Sequence, residues 1–333
     1  MSLASTSPTL FHKQIIWAVI SLVVLFLLVV FDWRPFVNYK GVVFGLYLLG
    51  VILLVATYFL APSIRGVRGW IVLGGFQFQV SELVKLILII FYANFFSRRH
   101  VGIAKVSNLF LSFIYFAVPA FLIAIQPDLG SVLVIFALWW GFLLVSGIKW
   151  RHLAAALLLF AVLTGIMWQT VLEDYQKDRV LGFFFPERDP LGTNYNVIQS
   201  KIAIGSAGIF GKGFGQGSQV QLDFLPEAQT DFIFAAFTEE WGILGGVLLL
   251  LIFAYLIYRI IRIGFDAKNN FGRFVCLGAA ILFIVQFVFN IGSNLALTPV
   301  VGVTFPFLSY GGSSLLTSFV LLAILNSISM DRA

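Results

Sequence analysis

Charged side chains are scarce in this sequence. Asp, Glu, Lys and Arg make up 11% of the 333 residues, whereas hydrophobic residues make up 60%, and the mean hydropathy is +0.99. Soluble proteins carry about a quarter charged residues, because a chain folded in water needs a polar surface. The shortage of charge therefore excludes a soluble globular protein and indicates an integral membrane protein.

Cysteine is almost absent as well. The one cysteine, Cys276, lies within an apolar run, which excludes a disulfide framework even for segments that face an oxidising compartment. Any large loop must therefore be ordered by packing. The first apolar run ends in FDWR and lacks a small-residue cleavage site, which argues against a cleaved signal peptide.

Nine apolar runs are long enough to cross a bilayer, whose core of about 30 Å needs roughly 20 helical residues. They cover residues 14–31, 41–61, 80–97, 109–125, 129–147, 152–172, 232–258, 274–291 and 311–328. We predict an all-α, polytopic membrane protein with about nine transmembrane helices in one membrane domain, 1–333. Six helices lie within 14–172 and three within 232–328, and residues 173–231 form one large loop.

Loops that are rich in Lys and Arg alternate along the chain with loops that contain few of them. Positively charged loops stay in the cytoplasm. The rich loops and the C-terminal tail carry Arg34, Lys40, Arg98, Arg99, Lys105, Lys149, Arg151, Arg259, Arg262, Lys268, Arg273 and Arg332. The poor segments carry Lys13, Arg65 and Arg68. We therefore predict a cytoplasmic C-terminus and an extracytoplasmic loop 173–231. The net charge of +6 then reflects membrane anchoring and gives no argument for nucleic acid.

Ionisable residues near the apolar runs are the first candidates for a site. Glu82 and Lys85 lie on one helix face, where they form either a structural ion pair or part of a polar cavity, because an unpaired charge in a span is costly. Asp128, in the turn QPDLG, either caps the next helix or serves the site. Arg68 is either an interfacial anchor or a contact for a phosphate-bearing ligand.

The large loop contains a glycine-rich stretch, residues 205–217, with six glycines. This pattern predicts an irregular backbone with exposed amides. It does not match the P-loop pattern, since Ser206 and Gly213 stand at positions that require Gly and Ser or Thr. The amides, with Lys201 or Lys212, are candidates to contact a pyrophosphate.

The sequence FLPEAQTDF, residues 224–232, leads into the seventh run. Thr230 or Asp231 could cap the helix that starts there. Asp231 is also a candidate general base, because Glu227, Glu239 and Glu240 lie near it in sequence and partial burial raises the pKa of a carboxylate. Between the last two runs, a re-entrant-like loop at 292–310 contains no charge. Such backbone is tolerated at membrane depth only inside protein or along a cavity, so we predict that it walls a cavity beside Asp231.

Six motifs together resemble the SEDS family (shape, elongation, division and sporulation), the membrane glycosyltransferases that polymerise lipid II. They are QVSELVK at 79–85, QPDLG at 126–130, DPLG at 189–192, QSKIAIGSAGIFGKGFGQGSQ at 199–219, FLPEAQTDFIFA at 224–235 and PVVGVTFPFLSYGGSS at 299–314. The segment GSQVQLDFLPE is similar to the sequences of the rod-shape branch, which acts in cell elongation. Val80 departs from the family pattern, which has proline there, and we expect valine to be accommodated at a helix start.

The resemblance implies a fold of ten spans, and we expect this sequence to start just after the first of them. It also implies a place in the bacterial inner membrane. The family's proposed catalytic aspartate corresponds to Asp231, and its functionally sensitive residues correspond to Glu82, Lys85 and Asp128. Glu227 and Ser309 lie in matching motifs and are candidate supporting residues. The implied partners are lipid II, membrane lipids and a class B penicillin-binding protein, a transpeptidase.

The expected reaction is inverting glycosyl transfer, in which Asp231 takes the proton of the acceptor hydroxyl. Arg68, Lys201, Lys212 or a divalent cation, Mg²⁺ or Mn²⁺, would hold the pyrophosphate leaving group, although no cluster of ligands in the sequence specifies the metal. Two alternatives stay open at this point. One is a lipid II flippase, against which the lack of an inverted repeat argues, and the other is a non-catalytic scaffold for a transpeptidase.

Overall fold

The computed structural model of the chain describes residues 8–31, 39–64, 66–74, 76–99, 106–170, 172–187, 189–190, 192 and 194–330. The helices are α1 (Pro8–Val30), α2 (Lys40–Leu60), α3 (Val80–Arg99), α4 (Val106–Ala124), α5 (Leu129–Val145), α6 (Trp150–Thr170), α7 (Asp174–Phe184), α8 (Tyr195–Gly205), α9 (Ser218–Gln221), α10 (Ile233–Asp266), α11 (Asn270–Asn294) and α12 (Gly312–Met330). Two strands, β1 (Trp70–Leu73) and β2 (Phe76–Gln79), precede α3.

Eight of the described helices are long and apolar enough to cross a membrane, namely α1 to α4, α6 and α10 to α12. Helix α5 is apolar but shorter, with 17 residues. These helices overlap the nine predicted runs, so the prediction of an all-α polytopic membrane protein is confirmed. The observed helices α1 and α10 are longer than predicted, because polar residues such as Lys13 and Arg262 continue each helix beyond its apolar stretch.

Strands β1 and β2 form a hairpin that was not predicted from the sequence. Trp70 pairs with Gln79 and Leu73 with Phe76 in an antiparallel register. The signal was the Gly-Gly pair at 74–75 between the two strands, since two glycines favour a tight hairpin turn. Each strand has only four residues, so an alternation of apolar and polar residues is too short to confirm that signal.

The hairpin leads directly into α3, which begins at Val80. The main-chain N–H of Val80 donates to the carbonyl of Gly69 at 3.0 Å. Proline has no N–H and could not make this bond. The expectation that valine is accommodated at this helix start is therefore confirmed.

Two compact units make up the fold. Unit 1 comprises the described residues of Met1–Ser21, Asp174–Tyr258 and Phe283–Leu316, and unit 2 those of Leu22–Glu173, Arg259–Leu282 and Thr317–Ala333. The prediction of a single membrane domain stays a prediction. Unit 1 contains Asp231 and the glycine-rich stretch, and unit 2 contains Glu82, Lys85 and Asp128.

Helix α3 is the centre of unit 2. It is buried along most of its length, whereas α6 is mostly exposed, and it packs against α2 and α5. The ring of Phe142 lies 5.6 Å from that of Tyr92 and 5.7 Å from that of Phe96. Gly278 makes room for this packing, since a Cβ there would lie 2.8 Å from the side chain of Ile89.

A small hydrophobic core orders the end of the large loop in unit 1. Its buried members are Ala203, Val220, Leu225, Ala228, Phe232, Ala235 and Ala236. Helices α8 and α9 and the first turn of α10 all contribute to it. Packing therefore orders this part of the loop, as the lack of disulfides required.

Helix α10 is interrupted at Gly242, whose φ of 75° and ψ of 178° are not helical. In a continuous helix, the amides of residues 243 and 244 would bond to the carbonyls of residues 239 and 240. Here those amides donate to Gly208 and Ile209 at 3.0 and 3.2 Å. We call residues 208–213 the inserted segment.

The inserted segment also satisfies the two carbonyls that the interruption leaves without helical partners. The amide of Lys212 donates to the carbonyl of Glu239 at 2.9 Å, and that of Gly213 to the carbonyl of Glu240 at 3.1 Å. These two amides are therefore bonded, and the prediction of exposed amides in the glycine-rich stretch is wrong for them. Gly211, with φ of 83°, lies so close to Glu240 that a Cβ would collide with its carbonyl oxygen.

We predict that Gly242→Ala destabilises the protein. A Cβ on Gly242 would collide with the carbonyl oxygen of Ile209, and residues other than glycine are strained at this φ and ψ. We expect the free energy of unfolding to fall by about 3 kcal/mol. The measurement is the midpoint of thermal unfolding of the protein in detergent.

Gly165→Ala is the matched control, since Gly165 lies inside α6 with nothing within 4 Å of its Cβ position. Alanine there should leave stability unchanged or raise it by about 0.5–1 kcal/mol. An equal loss of stability in both variants would contradict the role assigned to Gly242.

Candidate active site

Asp231 lies two residues before α10 begins at Ile233, where the large loop returns to the membrane helices. Its neighbour Phe232 is 1% exposed and belongs to the small core of unit 1, whereas Asp231 itself is partly exposed. The buried ring thus anchors the chain next to a partly exposed residue. This placement agrees with the predicted location of the candidate base.

The main chain around Asp231 is held by hydrogen bonds to three consecutive carbonyls. The carbonyl of Gln229 accepts from the amide of Tyr310 at 2.7 Å, and that of Thr230 accepts from the hydroxyl of Ser309 at 2.7 Å. The carbonyl of Asp231 accepts from the side-chain amide of Asn294 at 2.8 Å. These donors belong to α11 and to the segment that follows it.

Ser309 is therefore a main-chain support. Its hydroxyl donates to Thr230 and accepts from the amide of Phe305 at 2.8 Å, and the residue is 5% exposed. The segment predicted to lie beside Asp231 does so through these bonds. The cavity predicted there stays a prediction.

Asn290 and Asn294 were missed by the sequence analysis. They lie four residues apart on α11 and are 1% and 0% exposed. The side-chain amide of Asn290 also donates to the carbonyl of Asp231, at 3.2 Å. A signal was present, since two amides spaced by one helical turn in an apolar run are costly unless they are bonded.

Glu227 lies in the turn that precedes Asp231 and has a φ of 55°. Its carboxylate accepts from the hydroxyl of Thr230 at 2.9 Å, and its carbonyl accepts from the amides of Thr230 and Phe232 at 3.1 and 3.2 Å. Glu227 thus stabilises the turn from within. Its predicted role as a supporting residue at the site stays a prediction.

The other two carboxylates predicted near Asp231 lie within α10. Glu239 is 0% exposed and Glu240 is 4% exposed, and both lie roughly 10 Å along the helix axis from Ile233. Lys212 donates to Glu239 at 2.6 Å, and the hydroxyl of Ser218 donates to the same oxygen at 3.2 Å. Lys212, predicted to contact a pyrophosphate, thus forms an ion pair across the interruption of α10.

Lys201 and Arg68 are exposed. Lys201 lies on α8 in unit 1, and Arg68 lies before β1 in unit 2. Their predicted roles in anion binding stay predictions. Arg65, considered together with Arg68, lies outside the described residues.

Unit 2 contains the other predicted pair. Lys85 donates to Glu82 at 2.7 Å, and the two residues are 3% and 5% exposed. The predicted ion pair is confirmed. An ion pair removed from water to this degree is very sensitive to the loss of one partner, because the remaining charge is then buried alone.

Asp128 is the N-cap of α5, as one of the two interpretations predicted. One carboxylate oxygen accepts from the amide of Ser131 at 3.0 Å. The other accepts from the side-chain amide of Gln79 at 2.9 Å and the hydroxyl of Ser81 at 3.1 Å. Asp128 thereby joins α5 to β2 and to the start of α3.

A divalent cation stays a prediction. Over the part of the chain that the structure describes, no three His, Cys, Asp or Glu side chains form a group that could hold a metal ion. The described residues thus offer no ready ligand set for Mg²⁺ or Mn²⁺.

Known proteins resemble this chain in sequence over most of its length. It is 39% identical to peptidoglycan glycosyltransferase MrdB of Escherichia coli strain K12 over 294 residues, which cover 88% of this chain and 79% of the relative. It is 36% identical to stage V sporulation protein E of Bacillus subtilis over 321 residues, covering 95% and 86%.

Solved structures agree with the fold. A chain from a peptidoglycan synthase complex that coordinates polymerization and crosslinking aligns with a TM-score of 0.82 and 33% identity, covering 98% of this chain and 91% of that chain. The crystal structure of Thermus thermophilus rod shape determining protein RodA aligns with a TM-score of 0.73 and 29% identity, covering 99% and 91%.

The family model FtsW/RodA/SpoVE, described as cell cycle protein, matches residues 1–333. The match covers every motif on which the resemblance was based. This chain therefore belongs to the FtsW/RodA/SpoVE family, the SEDS family.

Proposed function

We propose that this chain is a peptidoglycan glycosyltransferase that polymerises lipid II, with Asp231 as the general base. The observation that carries the assignment of Asp231 is its placement as a partly exposed carboxylate on a main chain held at three consecutive carbonyls. Relatives named peptidoglycan glycosyltransferase MrdB support the activity. A carboxylate on a fixed main chain suits a reaction in which a single proton must be removed from a hydroxyl.

The reaction joins a sugar hydroxyl of the acceptor to the anomeric carbon of the donor. Asp231 takes the proton of the attacking hydroxyl as the new carbon–oxygen bond forms, and the bond to the polyprenyl pyrophosphate breaks with inversion. The electron pair leaves with the pyrophosphate, which is a stable anion and needs no proton. One base is therefore sufficient, and the remaining requirement is positive charge near the leaving group.

Lys201 is the proposed cation for that purpose in unit 1, because it is exposed on α8. Helix α8 contributes Ala203 to the same small core that contains Phe232, so Lys201 and Asp231 each lie close in sequence to a residue of that core. Lys212 is the second proposed cation, although its charge is already balanced by Glu239. The two lysines can be distinguished experimentally.

We propose a bacterial inner membrane location, with the loop 173–231 outside the cytoplasm and the C-terminus inside. The alternation of Lys and Arg supports this orientation. A class B penicillin-binding protein is the proposed partner, and the similarity to a complex that coordinates polymerization and crosslinking supports it. The similarity to MrdB and to RodA supports a role in cell elongation.

Asp231→Asn should abolish most polymerisation, because an amide cannot accept the proton of the attacking hydroxyl. We expect the rate to fall by about 100-fold to 10,000-fold. The measurement is polymer formed from lipid II by membranes that contain the variant and its transpeptidase partner.

Asp174→Asn is the control for this substitution. Asp174 opens α7 in the same large loop, and its side chain is 97% exposed, so its loss should leave the rate within about twofold of wild type. Polymer formation by Asp231→Asn at the wild-type rate would disprove the assignment of the base.

Lys212→Met should destabilise the protein, because Glu239 would keep a charge in a site that is 0% exposed. We expect a loss of about 2–3 kcal/mol in the free energy of unfolding, measured by thermal unfolding in detergent. The double variant Lys212→Met with Glu239→Gln removes both charges and should recover most of that stability.

The double variant also separates the two roles of Lys212. If the lysine only balances Glu239, the stable double variant polymerises lipid II with an unchanged KM. A raised KM in the double variant would instead assign Lys212 to the pyrophosphate. Lys201→Met serves as the comparison, since it should raise KM without lowering stability.

A further inference from the structure

Two buried side-chain amides meet at the main-chain carbonyl of the proposed base. Asn290 and Asn294 donate to the carbonyl oxygen of Asp231 at 3.2 and 2.8 Å. The two asparagines follow each other by one turn of α11, so both amides point from one face of that helix. A backbone carbonyl has two lone pairs, and these two donors can occupy both.

Each asparagine also contacts a second element. The side-chain oxygen of Asn294 accepts from the amide of Ala235 at 2.9 Å, in the first turn of α10, where amides lack helical partners. Asn290 also donates to the carbonyl of Val303 at 2.9 Å. The pair thus connects Asp231 both to the helix that follows it and to the segment after α11.

Fixing this carbonyl limits the directions in which the carboxylate of Asp231 can point. The carbonyl sets the peptide plane between Asp231 and Phe232, because that plane is rigid. The buried ring of Phe232 fixes the chain on the other side of the plane. Only the two side-chain torsions of Asp231 are then left to place the carboxylate.

The two side-chain amides are polar groups within an apolar helix. Both asparagines are almost fully buried, and a polar side chain in an apolar helix is retained at a cost in free energy. Asparagine is also neutral at every pH at which the protein folds. The hydrogen bonds that the two asparagines donate to the carbonyl are therefore independent of the protonation state of the nearby acids.

We propose that Asn290 and Asn294 are positioning residues for glycosyl transfer, which act by holding the main chain of Asp231 so that its carboxylate faces the acceptor hydroxyl. This inference rests on the proposed function of Asp231 as the base. Neither asparagine exchanges a proton. Their contribution is geometric, and a misplacement of about 1 Å at a reacting group can cost about 100-fold in rate.

Asn290→Leu is the test variant, since leucine has a similar shape and lacks the donor. The side-chain oxygen of Asn290 has no hydrogen-bond partner in the described structure, so only the donated bonds are lost. We expect kcat for lipid II polymerisation to fall by about 10-fold to 100-fold, with KM within about threefold of wild type. If Asn290→Leu does not accumulate as folded protein, Asn290→Ala, which adds no bulk, is measured in its place.

Ser293→Ala is the matched control on the same helical turn. Ser293 is 4% exposed and its hydroxyl donates to the carbonyl of Asn290 at 2.8 Å, so its loss disturbs α11 without touching Asp231. Its kcat should stay within about threefold of wild type. A loss in Ser293→Ala equal to that in Asn290→Leu, or a wild-type kcat in Asn290→Leu, would overturn the proposal.

A double-mutant cycle distinguishes positioning from a general effect on the fold. Asp231→Glu moves the carboxylate by the length of one methylene group. The hydrogen bonds to the main-chain carbonyl of residue 231 then no longer place the carboxylate correctly. If Asn290 acts through Asp231, Asn290→Leu lowers kcat less in the Asp231→Glu background than in wild type. Equal losses in both backgrounds would show that Asn290 acts elsewhere and would overturn the proposal.

The same series separates this inference from the proposed function. Full activity of Asp231→Asn would disprove the assignment of Asp231 as the base, and with it the positioning role of the two asparagines. A strong loss in Asp231→Asn together with a wild-type kcat in Asn290→Leu would leave the base in place and disprove only the positioning role.

Discussion

Buried main-chain carbonyls and amides must find hydrogen-bond partners within the protein, and unit 1 is built around that requirement. Helix α10 is interrupted at Gly242, which leaves the carbonyls of Glu239 and Glu240 and two following amides without helical partners. The inserted segment supplies all four bonds. The same segment brings Lys212 to Glu239, so one insertion satisfies the backbone and balances a buried carboxylate.

The chain around Asp231 follows the same rule. Three carbonyls in succession lie outside a helix, and each accepts from α11 or from the segment after it. Satisfying these groups also fixes their positions, because a hydrogen bond is directional. A catalytic carboxylate needs this kind of support, since an enzyme gains rate by holding reacting groups in place before the reaction starts.

In unit 2, polar side chains form an ion pair and a helix cap. Glu82 and Lys85 neutralise each other within α3, and Asp128 caps α5 while it accepts from Gln79 and Ser81. Of these groups, Asp128 joins neighbouring elements, whereas the Glu82–Lys85 pair lies within one helix. A substitution at any of them would leave a polar partner unpaired, which costs free energy where that partner is buried.

Patterns within single segments predicted much of this protein. Hydropathy located the nine apolar helices of the part of the chain that the structure describes, and the sequence FLPEAQTDF marked the end of the large loop. The spacing of Glu82 and Lys85 predicted their ion pair. The hairpin at 70–79 and the interruption of α10 were not predicted, because short strands and a glycine within an apolar run give weak local signals.

The sequence by itself determined the membrane helices, the family and the candidate base, since hydropathy, helix length and motifs are properties of contiguous residues. Only the tertiary structure decided which polar groups pair when they lie far apart in the chain. Lys212 and Glu239 are 27 residues apart in the chain, and Asn294 and Asp231 are 63 residues apart. No local pattern encodes such contacts, because they arise only when distant segments pack against each other and bring a donor and an acceptor together.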